Sequence, residues 1–270
     1  MKRMLISLLM VSLVMLSLTA CQKKGSGEDN SLKYIQENEK FILGLDDSFP
    51  PMGFRDENDN IVGFDIDLAK AVCDKLGVEL VLQPIEWDAK EQELNTKNID
   101  CIWNGFSITP ERLQNLTMTE PYMKNNISLV VLEGSDITSM EAMAGKRLAI
   151  QSGSSAEETL NSDEHKEFKE SLGQISPFGD YETALMDLET GNSDAVLMDS
   201  VVANYMITVV GKNYVVLNDT LLVDEYAIGF RKGDEALCSA VQKAIKELKE
   251  DGTLAEISTK WLGSDVTTIK

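Results

Sequence analysis

Apolar positions along this chain follow two alternating rhythms. FILGL (41–45), VELVL (78–82), RLAIQ (147–151) and AVLMD (195–199) are short apolar runs of strand length, each broken by polar or turn-forming residues. Between them lie stretches whose apolar residues recur three and four apart. In FDIDLAKAVCDKL (64–76), Ile66, Ala69, Cys73 and Leu76 share one helical face, and Gly77 supplies the stop. Strand, helix, strand with short links is the βαβ unit, so the pattern predicts an α/β fold. The order returns near residue 150. Ser139 is placed to cap a short helix ending at Gly145, and Ser155 with Glu158 reads as a capping box after RLAIQ. Asp180 is placed to cap a helix over 181–189.

Two segments repeat this grammar: LNTKNIDCIWNG (94–105) and LETGNSDAVLMD (188–199). Leu, Thr, Asn and Asp match in place, and both read as helix, tight turn, strand. The match predicts two lobes of like architecture. Asn104-Gly105 and Met198-Asp199 then stand at equivalent carboxyl ends of strands, where open α/β sheets hold their ligands. Extended links, YMKNN (122–126) and LVDEY (222–226), precede the apolar strands ISLVVL (127–132) and AIGF (227–230). The chain is therefore expected to leave one lobe, build the second and return. That gives residues 36–123 and 225–270 to lobe one and 124–224 to lobe two.

Composition narrows the function. The 270 residues carry a formal net charge of -20, which argues against nucleic acid, whose phosphates demand a basic surface. Lys2 and Arg3 precede an apolar run from Met4 to Leu18, ending LTAC (18–21), so residues 1–20 read as a signal peptide. The LTAC ending resembles the lipobox of bacterial lipoproteins. That resemblance implies cleavage before Cys21, lipidation of Cys21 and anchoring to the outer side of the cell membrane; an ordinary secreted protein with a chance cysteine is the alternative. QKKGSGEDNS (22–31) has no large apolar side chain, and residues 21–35 are expected to be the lipidated cysteine and a flexible tether. Cys73, Cys101 and Cys238 are odd in number and are expected as buried small hydrophobes. His165, in NSDEHKEF (161–168), reads as a solvated helix residue. No metal-ligand spacing occurs, and no cofactor is expected.

The chemistry concentrates in WNGFSITPER (103–112). Thr109 caps a helix whose first position is Pro110, where a missing N–H costs nothing. Arg112 in that first turn adds a planar fork of donors suited to a carboxylate, Ser107 adds a hydroxyl, and Gly105 lets a ligand approach the backbone. Together these read as a carboxylate receptor; the alternative is a capped helix with a surface arginine. Across the cleft, Gly153, Ser154 and Ser155 offer donors at another helix start, and Asp199 offers an acid. A carboxylate clamp facing an acid suits the two charged ends of an α-amino acid. Phe49 and Trp87, each on a loop after a strand, either close over the ligand or belong to the core.

The order of these motifs resembles the family 3 bacterial extracellular solute-binding proteins, the polar amino-acid receptors of ABC importers. It runs through D46…F49-P-P51, GFDIDLA (63–69), S107-I-T-P-E-R112, SGSS (152–155), DAVLMD (194–199), YAIGFRKG (226–233) and D251-G-T…W261. The resemblance implies a two-lobed type II periplasmic-binding-protein fold with two hinge crossovers that closes on its ligand, and an ABC permease as partner. Carried over by position, it implies that Arg112, Ser107 and Ser155 hold the α-carboxylate and that Asp199 and the Gly105 carbonyl hold the α-ammonium. Phe49 and Trp87 would sandwich the side chain, and Asp46 with Gln151 would read its tip. Trp103-Asn104 and Met198 depart from the family pattern and leave the substrate open. Asp46 favours a cationic side chain such as arginine or lysine, whereas Gln151 and Asn104 suit a neutral polar one of glutamine or cystine type, which is the expected class. Glutamate is disfavoured because no spare cation is foreseen in the pocket. A monomer is expected. The competing readings are a cyclohexadienyl-type dehydratase on the same fold, with Asp199 or Glu86 as acid or base, and a sensor module.

Overall fold

A computed structural model describes residues 28–270. Residues 1–20, expected as a signal peptide, and Cys21, expected to be lipidated, lie outside the described residues. Among the described residues twelve strands follow in order: β1 Lys40–Leu45, β2 Ser48–Phe49, β3 Gly53–Arg55, β4 Ile61–Val62, β5 Glu79–Pro84, β6 Cys101–Ser107, β7 Leu116–Met118, β8 Met123–Leu132, β9 Arg147–Gln151, β10 Gln174–Phe178, β11 Ala195–Asp199 and β12 Tyr214–Arg231. In one lobe β5, β1 and β6 run parallel with β1 at the centre; in the other β10, β9 and β11 do the same with β9 at the centre. Each trio gains an antiparallel neighbour, β12 beside β6 and β8 beside β11. Because β8 and β12 also pair with each other, the sheet order reads β10-β9-β11-β8-β12-β6-β1-β5 through both lobes. The links expected at 122–126 and 222–226 are continuous with the strands that follow them, so the crossovers are two long paired strands. Asn125 lies opposite Asp224 in that ribbon.

The internal sequence match has a structural cause. Thr96 and Thr190 each return their hydroxyl to the carbonyl four residues earlier, at 2.8 and 3.0 Å. Lys97 and Gly191 both take the left-handed conformation that reverses the chain. Asp100 and Asp194 then each accept a backbone N–H from a neighbouring strand, from Ile42 at 2.9 Å and from Arg147 at 2.8 Å. The repeated residues thus aim β6 and β11 in the same way in the two lobes.

Several local expectations change. Residues 31–35, expected in the tether, belong to the helix Ser31–Asn38, whose Ile35 is fully buried. Asp29 accepts from Ala236 N–H at 2.5 Å and Ser31 Oγ from Leu237 N–H at 3.1 Å. These contacts supply the first turn of the helix Glu235–Glu250, which has no side-chain cap of its own. The N-terminal segment is docked because that helix needs it. In the second lobe the capping serine is Ser154, accepting from Glu157 N–H at 3.1 Å, while Glu157 reaches back to Gly153 N–H at 2.7 Å. Gly153 turns at φ +68 and starts the helix one residue earlier than the capping box expected at Ser155. Ser139 caps nothing, since only a single 3₁₀ turn forms at Glu141–Met143. His165 is half-buried in a 3₁₀ turn, with Nε2 3.1 Å from Leu221 O. Cys73, Cys101 and Cys238 are buried and unpaired, as expected.

Candidate functional site

The carboxyl ends of the parallel strands from the two lobes meet. Ser107 Oγ, ending β6, lies 2.9 Å from Ser155 Oγ. Gln151 Nε2, ending β9, donates to Asp46 Oδ2, just past β1, at 2.7 Å. Lys90 Nζ donates to Gly153 O at 2.7 Å. These contacts join opposite lobes and close the cleft, and every side chain in them is buried.

The cationic wall begins with local structure. Thr109 Oγ1 caps the helix Pro110–Asn115 by accepting Arg112 N–H at 3.2 Å, and Pro110 occupies its first turn. Arg112 then folds back over its own strand. Its Nη1 donates to Ser107 O at 2.9 Å, and its guanidinium carbon lies 4.2 Å from the Phe106 ring centre. From the opposite lobe Gly153 O stands 3.5 Å from Nη2 and Glu158 Oε2 3.9 Å from Nε. Burial lowers the guanidinium pKa, and Glu158 and Asp224 oppose that shift. A fork of five N–H donors is held here mainly by neutral carbonyls, so it retains donors for an anion.

The acidic wall holds two carboxylates. Asp199 Oδ1 accepts from Asn125 Nδ2 at 2.6 Å and from Tyr226 OH at 2.8 Å. Tyr181 OH stands near enough to favour the charged acid, yet it is buried with no hydrogen-bond partner among the described residues. Burial, reinforced by the charge of Asp224, pushes the Asp199 carboxyl up to about 7. Asp224 accepts from Ser107 Oγ at 2.5 Å, Asn125 Nδ2 at 3.0 Å and Glu225 N–H at 2.7 Å, and burial raises its pKa too. The sequence reading missed Asp224, Asn125, Tyr181 and Lys90. Asp224 and Asn125 stood in plain sight in the two links, but a linear pattern does not say which way an extended residue faces.

Gly105 sits between the walls. Its φ is +57, and a Cβ there would lie 2.6 Å from Phe49 Cε1, so only glycine fits. Its N–H donates to Asp65 Oδ2 at 2.7 Å, and Tyr122 OH donates to the same oxygen at 2.9 Å. The GFD of GFDIDLA therefore holds the Gly105 backbone from below. Trp103, fully buried, lies near enough to favour the Asp65 carboxylate, but its Nε1 and Asp65 Oδ1 both lack a hydrogen-bond partner among the described residues.

The remaining expected residues divide into two groups. Asp46 Oδ1 accepts from Ser48 N–H at 2.9 Å and Ser48 Oγ at 2.6 Å, and burial raises its pKa. Asn104 braces it, its Oδ1 accepting Asp46 N–H at 3.2 Å. Phe49 packs on Tyr181 with ring centres 5.9 Å apart, and both join fully buried Met198 in one apolar cluster. Trp87 belongs to a different cluster, packed edge-on against Phe106 at 5.9 Å. The expectation of a cleft without a spare cation is corrected by Lys90. Its ammonium lies 5.2 Å from the Trp87 ring centre and donates to Trp87 O and Gly153 O, and burial, helped by Arg112, lowers its pKa to about 8.

Two predictions arise here. At Gly153, also at φ +68, a Cβ would stand 2.8 Å from Asp88 Cα in the other lobe. Gly153→Ala is expected to cost closure more than folding. Affinity for ligand should fall about tenfold or more, whereas the ligand-free melting temperature shifts by a few degrees, since strain at positive φ is about 1 kcal/mol. Calorimetry beside thermal melts checks this; an unchanged affinity would show that the lobes do not meet at this point. Asp65, fully buried, has a carboxyl pushed up to about 7, mainly by burial. A folded pKa above the unfolded value means stability present below about pH 4 and lost as pH rises through about 7. Asp199 titrates with the same sign. Melting temperature should therefore fall between pH 5 and pH 8, and Asp65→Asn, which keeps an acceptor for Gly105 N–H, should flatten that fall. A variant that follows the wild-type slope would assign the pH dependence elsewhere.

The chain is similar to known proteins over most of its length. Residues 41–264 match the model of the bacterial extracellular solute-binding proteins, family 3. The L-cystine-binding protein TcyJ of Escherichia coli (strain K12) is 29% identical over 246 residues, 90% of each chain. The arginine-binding extracellular protein ArtP of Bacillus subtilis (strain 168) is 30% identical over 266 residues, 94% of this chain and 96% of that one. A crystal structure of an ABC uptake transporter substrate binding protein from Streptococcus pneumoniae with bound histidine superimposes with a TM-score of 0.85 at 38% identity, covering 90% of this chain and all of that one.

Proposed function

The chain belongs to the bacterial extracellular solute-binding proteins, family 3, and from that premise we propose that it binds a polar L-amino acid between its lobes and delivers it to an ABC importer. The two-lobed type II fold is that of its structural relatives. We take residues 36–123 and 225–270 as one lobe and 124–224 as the other, with lipidated Cys21 as the anchor to the cell membrane.

One observation carries the reading. Arg112 from one lobe and Asp199 from the other are tied into a single buried network, through Ser107, Asp224 and Asn125. A zwitterion matches it at both ends. Arg112 with Ser155 takes the α-carboxylate; Asp199 with the Gly105 carbonyl takes the α-ammonium. Such a ligand bridges halves that otherwise hinge apart, and it stabilises the closed form only through contacts to both.

The side-chain end favours a neutral polar ligand of glutamine or cystine type. Asp46 accepts from Ser48 on one oxygen and from Gln151 on the other, and burial raises its pKa, which weakens it as a counter-ion for a guanidinium. The Asp46–Gln151 pair offers both donors and acceptors to a tip that has both. Arginine, lysine and histidine come next. The relatives named above are binding proteins for transport, and no observation favours a dehydratase.

A thermal-shift screen with the twenty amino acids and cystine tests the proposal. A ligand at about 100 times its Kd adds about 2.7 kcal/mol of stability. Stabilisation by one or a few polar L-amino acids, with the D-enantiomers inert, is expected. A screen with no response at millimolar ligand would sink the reading.

A further inference from the structure

We propose that Lys90 is a positioning residue for ligand retention: its ammonium, held ready on lobe one, latches the Gly153 carbonyl of lobe two once the cleft has closed, and Arg112 thereby keeps its donors for the ligand. This rests on the amino-acid reading above, and it gives Lys90 a task that touches no ligand atom.

The starting observation is a lysine where the helix pattern calls for an apolar residue. The 3₁₀ turn Trp87–Ala89 runs straight into the helix Lys90–Asn95, whose buried residues are Lys90 and Leu94, four apart on one face. Only 5% of Lys90 is exposed, and burying an ammonium is costly unless its donors are filled. Lobe one supplies two partners. Trp87 O, three residues back, accepts at 3.1 Å, and the Trp87 ring centre lies 5.2 Å away. Trp87 is braced edge-on by Phe106, the same ring that carries the Arg112 guanidinium. Two cations thus stand on one aromatic wall. Both face the Gly153 carbonyl, and they share it unequally, at 2.7 Å from Lys90 Nζ and 3.5 Å from Arg112 Nη2. The first is a full charge-assisted bond; the second is barely a bond. Glycine lets the turn come this close, since a Cβ at 153 would stand 2.8 Å from Asp88 Cα and 3.3 Å from Lys90 Nζ. The partners from its own lobe hold Lys90 in place whether the cleft is open or closed, and only the Gly153 carbonyl depends on closure. A ligand therefore enters without meeting the latch and leaves only after it breaks.

Lys90→Met is the test, because methionine keeps the length of the stem without the ammonium. In stopped-flow measurements with L-glutamine, L-arginine and L-histidine, release should quicken about 10- to 100-fold, the worth of a hydrogen bond to a charged group. Association should stay within about twofold, and the ranking of the ligands that bind should not change. The melting temperature of the empty protein should not fall, since the bond is absent from the open form. A residue that only supports lobe one slows association and lowers that melting temperature; this result overturns the proposal, as does unchanged release. A changed ranking also overturns it, because Lys90 would then lie against the ligand. Lys90→Gln, which keeps N–H donors without the charge, covers the case of a methionine variant that does not fold. Its release should quicken at least about threefold with association unchanged, and wild-type release overturns the latch. In Gly153→Ala, where the turn is already pushed away, adding Lys90→Met should quicken release little further; fully additive effects overturn the pairing. Wild-type protein that binds none of these amino acids, nor L-cystine, removes the function reading itself, whereas binding by wild type with unaltered release in the variants removes the latch alone.

Discussion

Arg112→Ala is expected to remove measurable binding of every L-amino acid, whatever its side chain. The guanidinium is held mainly by neutral carbonyls and presents a planar fork of donors, and the α-carboxylate is common to all candidate ligands. Two charge-assisted hydrogen bonds at about 2 kcal/mol each correspond to about a thousandfold in affinity. The loss goes further, because alanine leaves Glu158, Asp199 and Asp224 around a carboxylate with no arginine between them. The fold should tolerate the change. Thr109 caps residue 112 through its backbone N–H, which alanine retains. The main structural loss is the guanidinium stacked on Phe106, a contact of about 1 kcal/mol. Arg112→Lys restores charge without the planar fork and should recover only part of the affinity. Calorimetry with the best ligand from the screen decides it: micromolar binding by the alanine variant would mean that Arg112 is not the carboxylate receptor.

Asp199→Asn should weaken binding about a hundredfold or more while stabilising the empty protein near pH 8. The two effects have one cause. Asp199 Oδ1 holds both hydrogen bonds that anchor the side chain, from Asn125 and Tyr226, and the amide oxygen of asparagine can accept both. Its nitrogen then replaces the other oxygen and meets the ligand's ammonium donor to donor. Loss of one side of a buried, hydrogen-bonded charge pair costs about 2–5 kcal/mol. In the empty protein the same exchange removes a carboxyl whose pKa of about 7 reflects burial and the neighbouring charge of Asp224. Wild type is penalised above about pH 7 and not below about pH 4, so the melting temperatures of variant and wild type should diverge as pH rises. Binding by wild type should also weaken as pH falls through about 7, since the ligand's ammonium selects the ionised acid, and this dependence should flatten in Asp199→Asn. An unchanged affinity for amino acids would show that the ammonium lies elsewhere.

The legible parts of the site were those written in consecutive residues. Thr109, Pro110 and Arg112 fall within one helical turn, so the cap and the place of Arg112 in the first turn follow from spacing alone. The repeat around residues 94–105 and 188–199 was legible because one turn geometry imposes the same threonine and aspartate in both lobes. Asp65 lay in a motif that could be quoted, yet its work on Gly105 spans 40 residues and left no local trace. Lys90 belongs to none of the motifs, and its contact with Gly153 spans 63 positions and reaches the other lobe. The tether was drawn too long for a similar reason, because Asp29 serves a helix 207 residues further on.

Apolar periodicity and turn chemistry by themselves determined the βαβ units, the two like lobes, the helix that presents Arg112, and the strand that ends in Asp199. These depend on interactions between near neighbours, whose geometry is fixed by backbone sterics and the helical and strand repeats. Only the tertiary structure decided that Asn125 and Asp224 face each other on the crossover ribbon, that Ser107 meets Asp224, and that burial raises the Asp199 pKa. Each of these depends on register between distant strands and on the exclusion of water when two surfaces close, and a linear order of residues encodes neither.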